Sequence, residues 1–334
     1  MSLNVLITAG SRKVALVHAF QRALRATGGG HVVVADVNPL SPAVHAADRA
    51  HQVPLSTDPM YLAAVAEICR VERIGLVVPT IDDELSVFAE QVEQFHDAGI
   101  AVAVSPLATS AICDDKYATC RTLAARGVEA VETRLPAELP IDPRFPLFIK
   151  PRVGRGGVFA YAVRNARELE FFLEYVPNPV IQTYLDGPEY TIDVLCDFEG
   201  EVLAVVPRER VVIRAGVVDR GRTVRIASLT ELGLACTRAF RFHGAVNIQC
   251  RIVDGRPIVF EVNPRFSGGI ALTLAAGADF PRMLVDLAYG RRVTPAIGRY
   301  RHDLWMTSYE SSMFVDEAAV GFSTAAPRII SEVA

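Results

Sequence analysis

Val246-Asn247-Ile248-Gln249-Cys250-Arg251-Ile252-Val253-Asp254-Gly255-Arg256-Pro257-Ile258-Val259-Phe260-Glu261-Val262-Asn263-Pro264-Arg265 is the stretch that decides how this chain is read. Val246, Ile248, Cys250 and Ile252 alternate with Asn247, Gln249 and Arg251. Beyond Asp254-Gly255, Ile258, Phe260 and Val262 alternate with Val259, Glu261 and Asn263. Period-two alternation on both sides of an Asp-Gly pair predicts a β-hairpin. One face is apolar; the other gathers Asn247, Gln249, Glu261 and Asn263, and Arg265 continues it. Oxygen-bearing side chains with a single acid suit a hard cation such as magnesium carried by phosphates, whereas a merely solvated face would be richer in Lys, Thr and Glu. A two-residue Asp254-Gly255 turn would pair Gln249 with Phe260 and put Gln249 and Glu261 on opposite faces. A shared metal site therefore predicts one more residue in the connection. A three-residue loop, Asp254 to Arg256, pairs Gln249 with Glu261 and Asn247 with Asn263, and a bulge would have the same effect.

Upstream, Pro207–Gly216 with Arg220 and Arg222 is dense in arginine, and Arg208, Arg210 and Arg214 share strand parity. These side chains form either a solvated face or an anion-binding strand. Further back, Phe148-Ile149-Lys150-Pro151-Arg152 runs into Val153-Gly154-Arg155-Gly156-Gly157 and another strand. A glycine loop between two strands is not a Walker A loop, which opens a helix and carries Gly-Lys-Ser/Thr. It is either a long hairpin turn or a loop whose main-chain N–H groups turn inward around phosphate, with Lys150 adding a point charge. Strands are expected at 145–152, 158–163, 179–185, 190–198 and 201–206, helices at 106–113, 114–127 and 165–176, and a strand near Leu304-Trp305-Met306.

The first third has a different rhythm. Apolar runs at 3–8, 31–37, 75–80 and 100–105 are separated by helical patterns, including 58–73 and 82–96. Near-continuous apolar strands with intervening helices predict a parallel sheet covered on both faces, a Rossmann-like α/β unit ending near residue 106. Its first loop, Thr8-Ala9-Gly10-Ser11-Arg12-Lys13, lacks the later glycines of a dinucleotide fingerprint, so Gly10 and Asp36 read as a tight turn with a strand-terminal acid. Asp82-Asp83-Glu84 reads as an acidic first turn of a helix rather than a catalytic cluster.

Composition sets the bounds. The 334 residues suggest two domains, and 51% hydrophobic against 22% charged residues excludes global disorder. With 34 basic and 38 acidic residues the net charge is −4, which speaks against a nucleic-acid binder. The six cysteines form no C-x-x-C pair, no apolar run is long enough to span a bilayer, and the N-terminus lacks signal-peptide features, so a cytoplasmic protein is expected.

Taken in order, F-I-K-P-R-V-G-R-G-G, the strand Val180–Leu185 followed by D-G-P-E-Y-T, and N-I-Q with E-V-N-P-R-F-S-G-G resemble the ATP-grasp superfamily. The likeness is to the branch similar to the carbamoyl-phosphate synthetase large subunit and the pyrrolysine-pathway ligase, over roughly residues 1–300. It implies an α/β plus α+β architecture. A Rossmann-like pre-ATP-grasp domain (1–106) would precede a two-lobed ATP-grasp domain (107–300, lobes about 115–185 and 186–300), with a tail at 301–334.

Carried over position by position, the resemblance gives the ATP phosphates to Lys116 and Lys150, and the mobile loop over them to Gly154, Arg155, Gly156 and Gly157. Adenine falls to the backbone of Gln182, Thr183, Tyr184 and Leu185, and Glu189 lies by the ribose. Thr183 stands where the family often has an acid. Gln249, Glu261 and Asn263 match magnesium ligands, with manganese as an alternative, and Arg265 matches the arginine beside the transferred phosphoryl group. Arg208 and Arg214 match the anion-binding strand. The implied activity is an ADP-forming carbon–nitrogen ligase that joins a small carboxylate to an amine through an acyl phosphate, with no nucleic-acid or membrane partner and with homodimerisation open. The other readings are an ATP-binding sensor on the same fold and an NAD-dependent oxidoreductase, the latter disfavoured by the missing glycines.

Overall fold

The computed structural model describes residues 2–214 and 216–316, which divide into two compact units. The first begins with β1 (Asn4–Thr8), α1 (Val14–Thr27), β2 (Val32–Asp36), α2 (Pro42–Ala46), β3 (Arg49–Gln52), α3 (Tyr61–Val71), β4 (Ile74–Val78), α4 (Asp82–Glu90), α5 (Val92–Asp97) and β5 (Ala101–Val102). The five strands are parallel, in the order β3-β2-β1-β4-β5. Every residue of β2 is buried, as an interior strand covered on both faces requires. The single helix expected over 82–96 is two helices. Gln91 leaves the helical region at φ −113° and its N–H closes back on the Phe88 carbonyl, while Phe88 and Phe95 pack 5.8 Å apart across the break. β3 has no apolar pattern to announce it: Arg49 and His51 at this edge both bond Glu72, at 2.5 and 2.7 Å.

The second unit contains α6 (Leu107–Asp114), α7 (Lys116–Ala125), β6 (Thr133–Arg134), β7 (Leu147–Pro151), β8 (Tyr161–Val163), α8 (Ala166–Tyr175), β9 (Pro179–Thr183), β10 (Glu189–Cys196), β11 (Val202–Arg214), β12 (Val217–Thr223), α9 (Ala227–Ala239), β13 (Gly244–Val253), β14 (Arg256–Asn263) and α10 (Ile270–Ala275). The chain then returns to the first unit for α11 (Phe280–Ala288) before adding β15 (Trp305–Thr307) to the second. Residues 279–294, expected within a continuous 107–300 domain, thus pack with the first unit. The cause is apolar: α11 buries Phe280, Leu284 and Val285, and Arg282 and Arg291 cap α1 at the carbonyls of Ala26 and Thr27.

Two antiparallel sheets organise the second unit. The smaller, β6-β9-β7-β8, is backed by α8, whose buried Leu169 shares a core with Ile149, Val163 and Ile181. The larger runs β14-β13-β10-β11-β12-β15. One of its faces is sealed by α9 against Ile192, Val194, Val205, Val246, Ile248 and Cys250. Gly233 allows that close approach, since a Cβ there would lie 3.0 Å from Ile192 and 3.1 Å from Val205. The other face of the sheet is left for polar residues.

The β13–β14 register corrects the loop expected at 254–256. Asp254 (φ 48°) and Gly255 (φ 77°) form a two-residue turn, with Val253 opposite Arg256 and Ile252 opposite Pro257. The extra residue sits instead in a bulge at Phe260, after which Gln249 pairs with Glu261 and Asn247 with Asn263. Val259 and Val262 enter the core in place of the expected Ile258-Phe260-Val262 row.

Candidate active site

The polar face of the large sheet is built row by row. Asn263, Asn247 and Asp193 form one row, and Glu261, Gln249, Thr191 and Arg208 the next, followed by Arg251, Glu189 and Arg210. Their side chains share a face because antiparallel partners do. Asn263 Nδ2 donates to Glu261 Oε1 at 3.1 Å and Arg265 Nη2 donates to Asn263 Oδ1 at 3.3 Å, so Arg265 is tied to the same oxygen cluster. One carboxylate with amide oxygens on a single face fits a hard divalent cation that takes its remaining ligands from phosphates. Among the described residues, no group of three His, Cys, Asp or Glu could hold a metal on its own.

Lys150 projects from β7 of the smaller sheet onto this face. Its Nζ donates to the Phe260 carbonyl at 3.2 Å, lies 3.9 Å from Glu261 Oε2, and sits 5.3 Å from the centre of the Phe260 ring. Burial lowers the Lys150 pKa and the Glu261 carboxylate opposes that shift. The bulge that aligns Gln249 with Glu261 thus also presents the carbonyl that holds Lys150. Lys116, the first residue of α7 and likewise buried, donates to the Gly154 carbonyl at 2.5 Å, linking it to the glycine loop. Asp115 caps α7 through the Tyr117 and Ala118 N–H groups and is gripped by Arg152 at 2.6 and 2.8 Å. Burial pushes the Asp115 carboxyl up, but Arg152 and those N–H groups hold it below its ordinary value.

Gly154, Gly156 and Gly157 all have positive φ, as an inward-turned loop demands, and a Cβ on Gly216 at the β11–β12 turn would come within 2.7 Å of the Gly156 carbonyl oxygen. Arg155 lies at the exposed top of this loop. On β9, Gln182 points inward, donating to Thr133 Oγ1 at 3.0 Å. Thr183, Tyr184 and Leu185 follow along the rim, with the Thr183 N–H bonded to the Glu132 carbonyl.

The arginine strand is less uniform than its parity. Arg208 is fully buried, donating to Asp193 at 2.7 and 3.1 Å and to Ser267 Oγ at 2.9 Å, while its Nη1 is covered by Gly269 and has no partner. Arg210 and Arg251 clamp Glu189, at 3.1 and 2.6 Å, so the acid matched to the ribose is already ion-paired. Register shifts after Arg210 carry Arg214 away from this row to the exposed hairpin tip, where it meets Asp219 at 3.2 Å. The sheet brings Lys150, Gln249, Glu261, Asn263 and Arg265 together; it does not bring Arg214 to them. Sequence reasoning missed Asp193, which accepts from Arg208 and from Thr273 Oγ1 and joins β10 and β11 to α10. Its position in an otherwise apolar strand, Ile192-Asp193-Val194, was the available signal.

In the first unit, Asp36 accepts from the Ser11 and Asn38 N–H groups at 2.7 and 2.9 Å, the geometry of a turn. Asp82, Asp83 and Glu84 form the first turn of α4, as expected, and Glu84 is in addition buried and bonded to the Thr8 hydroxyl, with burial pushing its carboxyl up to about 7.

A family model described as ATP-grasp in the biosynthetic pathway with Ter operon matches residues 176–311, and one described as PylC-like, N-terminal domain matches residues 5–103. The carbamoyl phosphate synthase large chain of Thermoanaerobacter pseudethanolicus is 28% identical over 181 residues, covering 48% of this chain and 16% of that one. This chain therefore spans only a small part of the length of such relatives. D-alanine–D-alanine ligase A of Bacillus cereus is 27% identical over 188 residues, 49% of this chain and 62% of that one. The N5-carboxyaminoimidazole synthetase of Staphylococcus aureus, solved with ADP, superposes with a TM-score of 0.70 at 16% identity, covering 89% of this chain and 79% of that one. At that identity the likeness is one of fold.

Proposed function

The chain belongs to the ATP-grasp superfamily, in the branch of the carbamoyl-phosphate synthase large chains and the PylC-like proteins, and from that premise we propose that it is an ATP-dependent carboxylate–amine ligase releasing ADP and phosphate. The observation that carries this reading is the meeting of the buried Lys150 ammonium with the Gln249–Glu261–Asn263 oxygen row and Arg265 on one sheet face. A cation beside a carboxylate and amide oxygens is an arrangement for holding a polyphosphate and its metal. Magnesium, when bound there, supplies charge neutralisation of the phosphates.

In this reading Lys150 and Lys116 hold the phosphate oxygens, and Gly154, Arg155, Gly156 and Gly157 fold over them. The backbone at Gln182–Leu185 meets adenine and Glu189 lies near the ribose. An oxygen of the substrate carboxylate attacks the γ-phosphorus, the bond to the β–γ bridging oxygen breaks, and ADP leaves with that electron pair. Arg265 neutralises charge on the phosphoryl group in transit. The amine nitrogen then attacks the acyl carbon, phosphate departs, and the nitrogen loses a proton. No covalent enzyme intermediate is needed, so the protein contributes positioning and electrostatics. Arg208 supports the face from beneath through Asp193 and Ser267, and Arg214, paired with Asp219 at the hairpin tip, is given no part in this reading. The six cysteines are all free and buried, which suits a reducing cytoplasm. No helix among the described residues is long and apolar enough to cross a membrane.

The test is ADP release with Mg²⁺ and ATP across a panel of amino acids and small carboxylates. Turnover that requires both an acid and an amine is expected. Tight ATP binding with no turnover on any pair would replace the ligase by a sensor.

A further inference from the structure

Arg210 stands where β11 breaks register. A bulge separates Arg210, opposite Gly221, from Val212, opposite Arg220, and a second shift follows before Ile213. Bulges bend the strand that carries them and re-aim its side chains. Six residues on, the Gly216 carbonyl of the β11–β12 turn accepts from Arg210 Nη2 at 2.9 Å. Arg210 Nη1 lies 3.5 Å from Thr191 Oγ1 on the neighbouring β10. Its Nε is 3.1 Å from Glu189 Oε1 but out of line for a hydrogen bond, and that buried N–H has no other partner.

Gly216 in turn touches the glycine loop. A Cβ built on it would fall 2.7 Å from the Gly156 oxygen and 3.1 Å from its Cα, so the two main chains meet with nothing between them. Glu189 has a second attachment on its other side. Its Oε2 accepts from Arg251 at 2.6 Å, and Arg251 Nη1 donates to the Gly187 carbonyl at 2.9 Å, just past Leu185. Contacts therefore run from the segment read as the adenine hinge, through the acid read as the sugar's, to the loop read as the cover of the phosphates.

We propose that Arg210 is a positioning residue that couples the sugar's contact with Glu189 to the seating of the glycine loop over the phosphates. This coupling deepens the ligase reading and rests on it for the identity of the ligand. A sugar hydroxyl donating to Glu189 turns its carboxylate, and the Arg210 Nε–H gains the alignment it lacks. A buried donor left unpaired is costly, so the aligned state is favoured. With the guanidinium fixed at that end, its Nη2 holds the Gly216 carbonyl and the turn offers Gly156 a firm seat. Lysine would keep the charge beside Glu189 but, lacking the planar fork, could not make both contacts at once.

The test is hydrogen–deuterium exchange at residues 153–157 of the full chain, saturated with MgATP or with an ATP analogue lacking both ribose hydroxyls. Calorimetric titration establishes saturation for each nucleotide. In the wild-type chain, exchange is expected to be about fivefold slower with ATP than with the analogue, the worth of one hydrogen bond. Arg210→Lys is expected to bind both nucleotides and lose that difference. Gly216→Ala is expected to do the same, since its Cβ pushes the turn off Gly156. A purely structural Arg210 would lower the melting temperature of the variant and leave the difference between the nucleotides intact. Equal protection by the two nucleotides in the wild-type chain, or a difference that survives in either folded variant, would overturn the coupling. Absence of ATP binding by the wild-type chain would instead remove the ligase reading, and the coupling with it.

Discussion

Gln249 and Glu261 are cross-strand partners on one face of the large sheet, and they are so because Phe260 bulges from β14. The same residue supplies the carbonyl and the ring that receive the Lys150 ammonium. One local irregularity therefore fixes both the oxygen row and the cation over it.

Lys150→Ala is expected to weaken MgATP binding by about 10- to 100-fold, the worth of one charge-assisted bond to phosphate. Calorimetric titration with MgATP measures it. Unchanged affinity in a folded variant would remove Lys150 from the nucleotide site.

Glu261→Gln keeps an oxygen donor but removes the charge. Affinity for Mn²⁺ in the presence of ATP, read by electron paramagnetic resonance, is expected to fall by about tenfold, while ATP alone binds no more weakly. Because Glu261 also raises the Lys150 pKa, its loss should leave that lysine still easier to deprotonate.

Asp193→Ala leaves Arg208 buried without its anion. A loss of about 3–5 kcal/mol in urea unfolding is expected, the usual cost of breaking one side of a buried pair. Replacing both by apolar residues, as in Asp193→Leu with Arg208→Met, should recover much of that loss. A destabilisation below about 1 kcal/mol in the single variant would show the pair to be dispensable.

Glu84 gives the first unit a pH dependence of definite sign. Its carboxyl is raised from an ordinary 4.5 to about 7, so the folded chain holds a proton that the unfolded chain releases. This contribution is fully present below pH 4.5 and is lost as the pH rises to about 7, amounting to about 3 kcal/mol in all. Denaturant unfolding between pH 4.5 and 8 checks it. Glu84→Gln should flatten the profile, and an unchanged slope would assign the dependence to another group.

The two α/β patterns were legible because period and composition report burial. The runs 3–8, 31–37 and 75–80 became β1, β2 and β4, and the alternation at 246–263 became β13 and β14. β3 was not legible, since Arg49-Ala50-His51-Gln52 is an edge strand held by ion pairs, with no apolar face to display. The bulge at Phe260 was invisible as well, because strict alternation places Phe260 in the core when it lies instead against Lys150. Arg208, Arg210 and Arg214 share parity in sequence, yet two register shifts separate the third from the first two. Parity predicts facing only in an unbroken ladder. Glu84 was legible as a helix-start acid, but its burial was not, because nothing local reveals that the Thr8 hydroxyl, 76 residues away, donates to it.

The return of the chain to its first unit governs how that unit can be made. Arg282 reaches the Ala26 carbonyl and Arg291 the Thr27 carbonyl across separations of 256 and 264 residues. A ribosome must therefore deliver the chain as far as Arg291 before α1 acquires the helix that covers it, and until then the part of α1 that α11 covers waits exposed while the second unit is synthesised. Synthesis order and folding order are consequently out of step in this protein: a nascent chain arrested at residue 278 would present a first unit without its closing helix, which is the stage at which a chaperone has most to bind.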